Sequence, residues 1–441
     1  MKRQCTSFFN LKENIEVSLK ALTLFFFTFV QLTCFSQTTY YISNKGNDKN
    51  DGLSSKRPIK TIVRMMRGSK YLLKRGDTFY FKINASETFN GLIKIDAYGK
   101  GKKPVVSLYK NIKSTSWTLF SKSIWKVDLK NSDNYSGYTN ADDTNVGFVK
   151  IGSSIKGNKV NSIDKLKVRW DFYSDSQFLY VFSTKNPSYL NEHIRITTRD
   201  NIVQLGSNMQ VSNISLIGTG GHAIQGSDRS NVVIKNVTIS EIGGSYLPGF
   251  KRGDTRFGNG IEILGKGSNY TIEGCYVSQV YDAAYTIQST GSDACFENIV
   301  FKNNVAENNE QSFEFWTSNR RGGFKNCWFI SNHCLNAGFG WSHSVRPDKD
   351  VGVHILNYYS AFSNNDITIS QNIFKRAKTG YIYLDADTTK VIMFKSDRNR
   401  IFLDENVPIR TNDASYPISK SEKFIKSFGI ELGSVFKHIS N

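Results

Sequence analysis

Two glutamates, Glu262 and Glu314, sit in short segments of the same design, GIEILG (260–265) and FEFWTS (313–318). Each places one acidic residue between two apolar ones. In an extended strand that alternation turns the apolar pair one way and the carboxylate the other. A third such segment, AYTIQS (284–289), lies between them. If these strands stack with FGWSHS (339–344), one outward column reads Glu262, Thr286, Glu314, Gly340, and the next reads Leu264, Gln288, Trp316, Ser342. The two glutamates then stand two strand spacings apart, about 9.6 Å between Cα atoms. Carboxyl groups about 6.5–9.5 Å apart suit an inverting glycosidase, one as acid and one as base for water. The same pair, Glu262 and Glu314, suits a Ca²⁺ site, because that ion takes several hard oxygen ligands. Trp316 beside them offers a flat apolar face to a sugar ring.

A second chemistry can be drawn from GFGWSHSVRPDKD (338–350), the densest polar cluster. β-Elimination from a uronate needs a base for the proton α to the carboxylate, and a cation or metal to stabilise the enolate. His343, with an ordinary pKa near 6.5, can be the base. Arg346 with Arg256, or calcium held by the glutamates, can be the stabiliser. Asp282 precedes its strand and is placed at the edge of the same surface, with Asp348 and Lys349 close to Arg346 in the chain. The register leaves the facing of His222 open by one residue.

The elements that must position these groups form a repeat. Six times between Asn213 and Asp385 a short apolar alternation, a polar turn and a second alternation recur: VSNISL, VVIKNVTIS, YTIEGCYVS, ACFENIVFK, GGFKNCWFIS, ITISQNIF. Taking Asn213, Asn236, Gly274, Asn298, Asn326 and Gln371 as register marks gives spacings of 23, 38, 24, 28 and 45. Two spacings match one coil of a parallel β-helix and the others are that period with insertions. The turn Asn residues can stack into an amide ladder. Inward positions of the second strand read Ile261, Ile263, Tyr285, Ile287, Phe313, Phe315, Phe339, Trp341, Tyr381 and Tyr383. One coil cannot bury its apolar face alone, but stacked coils can. The insertions fall around this strand and carry Lys251, Arg252, Arg256, Arg320, Arg321, Arg346 and Lys349, so basic loops are expected to wall a groove with Glu262, Glu314 and Trp316 on its floor.

With YYISNKGNDKNDGLSSKRPIKTI (40–62) and LKRGDTFYF (73–81), this repeat resembles the secreted right-handed parallel β-helix proteins of the pectate-lyase-like superfamily. The resemblance covers roughly 40–110 and 200–385 and implies fold more than activity. The chain carries no WIDH-type pectate-lyase signature. It also lacks the polygalacturonase set NTD, DD, GHG and RIK; GGHAI (220–224) has no Gly after His. No family's catalytic residues carry over by position.

The fold expected is all-β, a right-handed parallel β-helix solenoid with an inserted antiparallel β module. Residues 1–36 read as a secretory signal peptide, with Lys12 and Lys20 before the apolar run 21–30. Lipoprotein anchoring at Cys34 is disfavoured by the poor lipobox Gln31-Leu32-Thr33. Residues 37–113 are expected to form the N-terminal cap and first coils, 114–199 the inserted module, 200–385 the grooved solenoid and 386–441 a C-terminal cap with a hairpin and a short helix. The solenoid is expected to resume near Ile194–Thr198. No later apolar run is long enough for a membrane span. The leader carries Lys2, Arg3, Lys12 and Lys20 against Glu13 and Glu16, so its removal leaves about +17 of the +19 formal charge. A secreted, strongly basic protein meets acidic polysaccharide rather than nucleic acid. Cys275 and Cys327 are expected as buried free thiols in one inward column with Ile299 between them, and no Cys/His spacing suits zinc. The function expected is a monomeric polysaccharide lyase acting on a uronate-containing glycan, with calcium as the one cofactor considered. The alternatives are an inverting glycoside hydrolase using Glu262 and Glu314, or a glycan-binding or cell-envelope protein without catalysis. Arg252, Arg256, Trp316, Arg320, Arg321, Lys349, Asp282 and Asp348 are the expected substrate contacts.

Overall fold

Alternating apolar and polar residues form short strands, and each strand pairs in parallel with the equivalent strand of the next coil. A computed structural model describes residues 37–62, 65–66, 68–86, 91–190, 193–250, 255–318, 323–358, 365–384, 394–410 and 415–439. The groove face runs through Val203–Gln204, the first part of Ile224–Lys235, the first part of Ile261–Glu273, Ala283–Ser289, Gln311–Thr317, Val353–Asn357 and Gly380–Leu384. A second face continues through the latter parts of those two long strands, then Phe296–Lys302, Phe324–Ile330, Asn365–Ser370 and Lys395–Asp397. A third carries Ser215–Thr219, Thr238–Ile242, Tyr276–Val280, Val305–Glu307, His333–Ala337, Ile373–Ala377 and Arg400–Leu403. The chain visits the third, groove and second faces in turn. This is a parallel β-helix, with the right-handed crossover that parallel strands of one sheet adopt.

The interior is a set of stacked columns. Val203, Ile224, Ile261, Tyr285, Phe313, Ile355 and Ile382 align in one of them, and all are fully buried. Phe313 and Phe329 stack at 4.3 Å across the lumen. Burying a ring of this kind stabilises the fold by about 2–3 kcal/mol.

Among the described residues the asparagines form two extended ladders, and the single ladder the sequence suggested keeps one rung of its own, Asn236 Nδ2 to Asn213 Oδ1 at 2.7 Å. Asn208, Asn231, Asn269, Asn298 and Asn326 lie within the second face, each with positive φ, and pass side-chain amide hydrogen bonds of 2.7–3.1 Å from coil to coil. Asn213, Asn236 and Gly274 belong instead with Asn303, Ser331, Gln371 and Arg398 at the corner after that face. The residues that follow at the corner point inward, where Asn304, Asn332, Asn372 and Asn399 form the second ladder. Cys275 belongs to that corner, since its N–H donates to Asn304 Oδ1. Cys327 pairs with Ile299 within the second face. The two thiols are buried and free as expected, but in different columns.

Three other expectations change. FGWSHS does not form a coil strand. Gly338, at φ 77°, turns the chain aside and Trp341–Val345 form a short helix. The coil strand is Val353–Asn357, so Glu314 is followed in its column by Leu356 and Tyr383, not Gly340. Phe339 and Trp341 therefore do not enter the core column, and Ile382 takes the inward place given to Tyr383. Strand Ile194–Thr198 belongs to the inserted module, and the solenoid resumes at Val203–Gln204. Lys395–Asp397 and Arg400–Leu403 extend the solenoid in parallel and do not form a hairpin; helix Ser421–Phe428 follows, burying Phe424.

The inserted module is antiparallel, as expected. One sheet orders Tyr135–Gly137, Lys110–Ile112, Ile194–Thr198, Val146–Ile151 and Ser154–Lys156; the other orders Phe172–Ser174, Phe178–Phe182, Ile124–Asp128 and Thr118–Ser121. Its own core includes Trp117, Val127, Trp170, Phe172, Leu179 and Val181.

Candidate active-site groove

Strand register sets the floor. Gln204, Gln225, Glu262, Thr286, Glu314, Leu356 and Tyr383 align in one outward column, and Ser227, Leu264, Gln288 and Trp316 in the next. The two glutamates and Trp316 thus stand where the alternation placed them. Over them lies a cavity of about 730 Å³, lined also by Arg256, Asp282, Arg346 and Asp348. His222, Gln225, Leu247 and Phe257 are shared with a second cavity of about 530 Å³, which extends toward Lys82, Asp143 and Arg199.

Glu262 is 2 % exposed, and its carboxylate is surrounded by donors. Oε2 accepts from Gln225 Nε2 at 2.5 Å and faces His222 Nε2 at 3.1 Å. Oε1 accepts from Gln288 Nε2 at 2.6 Å and Asn259 Nδ2 at 3.2 Å. His222 Nδ1 accepts the Asn259 N–H, so the ring proton sits on Nε2 and points at Glu262. Burial pushes the His222 pKa down, with Glu262 opposing, and the ring stays neutral. Four donors match the roughly four acceptor sites of an ionised carboxylate. They also occupy the lone pairs a cation would need, so Glu262 does not fit calcium. Among the described residues no group of three or more His, Cys, Asp or Glu side chains is arranged to hold a metal ion.

Glu314 is the opposite case. Burial pushes its carboxyl up to about 8, Asp282 and Glu262 add to the rise, and the hydrogen bond from Trp316 opposes it. Trp316 Nε1 donates to Oε1 at 2.9 Å, and the Thr286 hydroxyl stands 3.5 Å from Oε2, the oxygen that carries the proton. Trp316 meets Tyr358 edge-on at 6.4 Å, and Tyr358 meets Tyr383 at 6.1 Å. These rings form an aromatic shoulder beside the acid.

Asp282 Oδ2 accepts the Gly258 N–H at 3.1 Å, and Oδ1 lies 3.2 Å from Arg346. Burial pushes this carboxyl up to about 7; Arg346 opposes the rise, while Asp348 and Glu310 add to it. Arg346 also makes a two-pronged contact to Asp348, at 3.1 and 2.8 Å, and donates to the Tyr281 carbonyl. Burial works against its charge, but these carboxylates outweigh it and keep it charged.

Of the set proposed for elimination, Arg256 and Arg346 are brought together, both lining the groove and both over the Tyr281 ring, but His343 does not join them. His343 does not line the groove; it lies on the short helix with Nδ1 2.9 Å from Glu310, a fully buried carboxylate that also accepts from Ser342. Arg256 is 8 % exposed and donates to the carbonyls of Gly244, Gly147 and Val345, with its guanidinium 4.6 Å from the Tyr281 ring. It braces the module against the groove wall. Lys349 is exposed and donates to the His343 carbonyl. Arg252, Arg320, Arg321 and Lys251 lie outside the described residues. Sequence reasoning missed Gln225, Asn259 and Glu310. None had a usable signal: GHAIQG laid on GIEILG puts Ala223 opposite Glu262, and the strands pair two residues out of that alignment, with Gln225 beside Glu262.

No protein-family model matches the chain, and no curated protein matches it. Several solved structures are similar. One is described as the complex of XylC with xylose, at 9 % identity and TM-score 0.49, covering 90 % of this chain and 82 % of that one. A rhamnogalacturonan lyase shares 13 % identity at TM-score 0.40, covering 84 % and 73 %. A lacto-N-biosidase of glycoside hydrolase family 136 from Eubacterium ramulus shares 11 % at TM-score 0.35, covering 91 % and 67 %. The fold of this chain rests on its own strand register, and the groove's geometry carries the functional reading.

Proposed function

We propose that this groove hydrolyses a glycosidic bond in a polysaccharide, with inversion at the anomeric carbon, and that the protein is secreted by its leader. The observation that carries this reading is that two buried carboxyls, Glu262 and Glu314, share one groove in opposite surroundings, one ringed by donors and the other beside aromatic rings. Glu314 holds a proton near neutral pH, while Glu262 is ringed by donors that suit only its anion. Glu314 Oε2–H protonates the leaving oxygen as the C–O bond breaks. A water attacks the anomeric carbon from the other face and gives its proton to Asp282, whose pKa near 7 suits a base at neutral pH. Glu262, with its acceptor sites taken, contributes a fixed negative charge for the oxocarbenium-like transition state. Trp316, Tyr358 and Tyr383 stack against sugar rings.

Elimination is less well supported by this arrangement. Arg346 and Arg256 are committed to protein carboxylates and carbonyls, and His343 faces Glu310. An acidic polymer remains the favoured substrate class because about +17 of formal charge stays after leader removal. The test is a screen of uronate and neutral polysaccharides with two readouts, new reducing ends and the ultraviolet absorbance of an unsaturated product. Reducing ends without absorbance, abolished in Glu314→Gln and Asp282→Asn, are expected. Absorbance that survives in Asp282→Asn would return the lyase reading, and retention on a glycan column with no cleavage would favour a binding protein.

A further inference from the structure

The second cavity, about 530 Å³, takes no part in the acid–base step, yet it lies on the same column of outward residues. Gln204 pairs with Asn84 of the short strand Ile83–Asn84. The column therefore runs from Glu314 through Thr286, Glu262, Gln225 and Gln204 to Asn84. At about 4.8 Å per coil, Gln225 stands about 14 Å from Glu314 and Asn84 about 24 Å. Gln225, Leu247 and Phe257 line both cavities and join them. The inserted module builds the far wall. Tyr138 and Asn140 hold Asp200 Oδ2 at 2.7 and 3.0 Å, and Lys82 Nζ lies 2.7 Å from Asp200 Oδ1. Arg199 Nε donates to Asp143 Oδ2 at 2.9 Å, and the Asn145 N–H donates to Asp143 Oδ1. Both carboxylates are thus filled, and they lie deeper than their cations, with side chains 13 and 15 % exposed against 42 and 39 %. The two pairs cancel in charge and leave donors facing the cavity. Among the described residues the Arg199 Nη groups and the amide nitrogens of Asn84 and Gln204 donate to no protein group.

We propose that this cavity holds the sugar units roughly three to five places from the scissile bond, recognising them by hydroxyl and ring oxygens and not by a carboxylate. This rests on the reading of the groove as a polysaccharide site. A pyranose unit in an extended chain advances by about one coil spacing, so side-chain amides repeated coil after coil meet successive units. The oxygens of those units accept from the unfilled donors. Phe257, whose ring lies 5.0 Å from that of His222, gives the join between the cavities an apolar face. Because the ion pairs balance, a uronate carboxylate has no advantage over a hydroxyl there. The net positive charge of the whole chain draws an acidic polymer in, and the cavity then reads how far it extends.

Calorimetric titration of Glu314→Gln protein, in which cleavage does not interfere, tests this with ladders of oligogalacturonate, oligomannuronate and cello-oligosaccharide from two to eight units. At least one ladder should bind about tenfold or more tightly at eight units than at three, the scale of one or two added hydrogen bonds. The gain should persist in about 0.5 M salt, where exposed charges are screened. The Asn84→Ala/Gln204→Ala pair should bring the eight-unit affinity down to near the parent's three-unit affinity. Its thermal midpoint should not change, because neither side chain belongs to the core. Arg199→Gln should weaken the long oligomers in the same direction. The proposal is overturned if no ladder binds, if affinity is flat from three units to eight in every ladder, if the gain vanishes in salt, or if the double variant keeps it. New reducing ends released by the native protein report on the catalytic reading separately. Length-dependent binding without cleavage would keep the cavity and remove the hydrolase, and cleavage without length dependence would do the reverse.

Discussion

Replacing Glu314 by Gln should stabilise the protein, and by an amount that grows with pH. The native carboxyl holds its proton up to about 8, whereas the unfolded chain releases it near the ordinary 4.5. Native protein therefore binds more protons than unfolded protein between these values. A group of this kind contributes most below pH 4.5, and its contribution is lost as pH rises through 8. The slope is about 1.4 kcal/mol per pH unit, which accumulates to about 3 kcal/mol by pH 7. Gln has nearly the same shape and does not ionise, so the variant escapes this loss. For about 400 residues the unfolding entropy converts 3 kcal/mol into a midpoint shift of about 4 °C. Thermal midpoints of the two proteins, measured in parallel at pH 5, 6, 7 and 8, should nearly coincide at pH 5 and diverge steadily. Comparing the pair cancels every other titrating group they share. A difference that stays flat from pH 5 to pH 8 would mean that Glu314 ionises normally. It would then not be the proton donor, and the assignment of acid and base in the groove would fall with it.

Other outcomes follow from the same geometry. The rate should be lost as pH falls through about 7, where Asp282 takes up a proton, and lost again as it rises through about 8, where Glu314 releases one; Asp282→Asn should remove the acid limb and lower kcat about 10²–10⁴-fold. His343→Gln should leave kcat/KM within about threefold of the parent, because the ring faces Glu310 and not the groove; a loss of several hundredfold would restore it as a catalytic base. Asn332→Ala should destabilise the solenoid by about 1–3 kcal/mol without changing the pH profile, since it strips partners from buried backbone groups of Asn304 and Phe301; urea unfolding midpoints measure this.

The floor of the groove could be read from the chain because strand periodicity is strict. Once Ile261, Tyr285 and Phe313 are assigned inward, Glu262, Thr286 and Glu314 have no other place to go. The ladders were harder. Asn298 and Asn303 lie five positions apart and both flank apolar alternations, so nothing local tells a mid-face bulge from a corner. The alternation in GFGWSH imitates a strand as well as VHIL does, and only the pairing with Gln311–Thr317 separates them. The arginines misled for a different reason. Arg256 meets the carbonyl of Gly147, 109 positions away, and Arg346 meets that of Tyr281, 65 away. A sequence shows a charge but not the distant backbone that already holds it.

The two asparagine ladders also bear on how such a protein can change. Adjacent rungs are separated in the chain by 23, 38, 29 and 28 residues in one ladder, and by 28, 40 and 27 in the other. The rungs keep their hydrogen bonds regardless of what intervenes. Lengthening a flexible excursion from 23 to 40 residues adds only about 0.5 kcal/mol of closure entropy. Loops beside the groove can therefore be enlarged, shortened or exchanged while the rungs hold every coil in register. The recognition surface is free to drift under selection, and the scaffold does not have to be rediscovered each time it does.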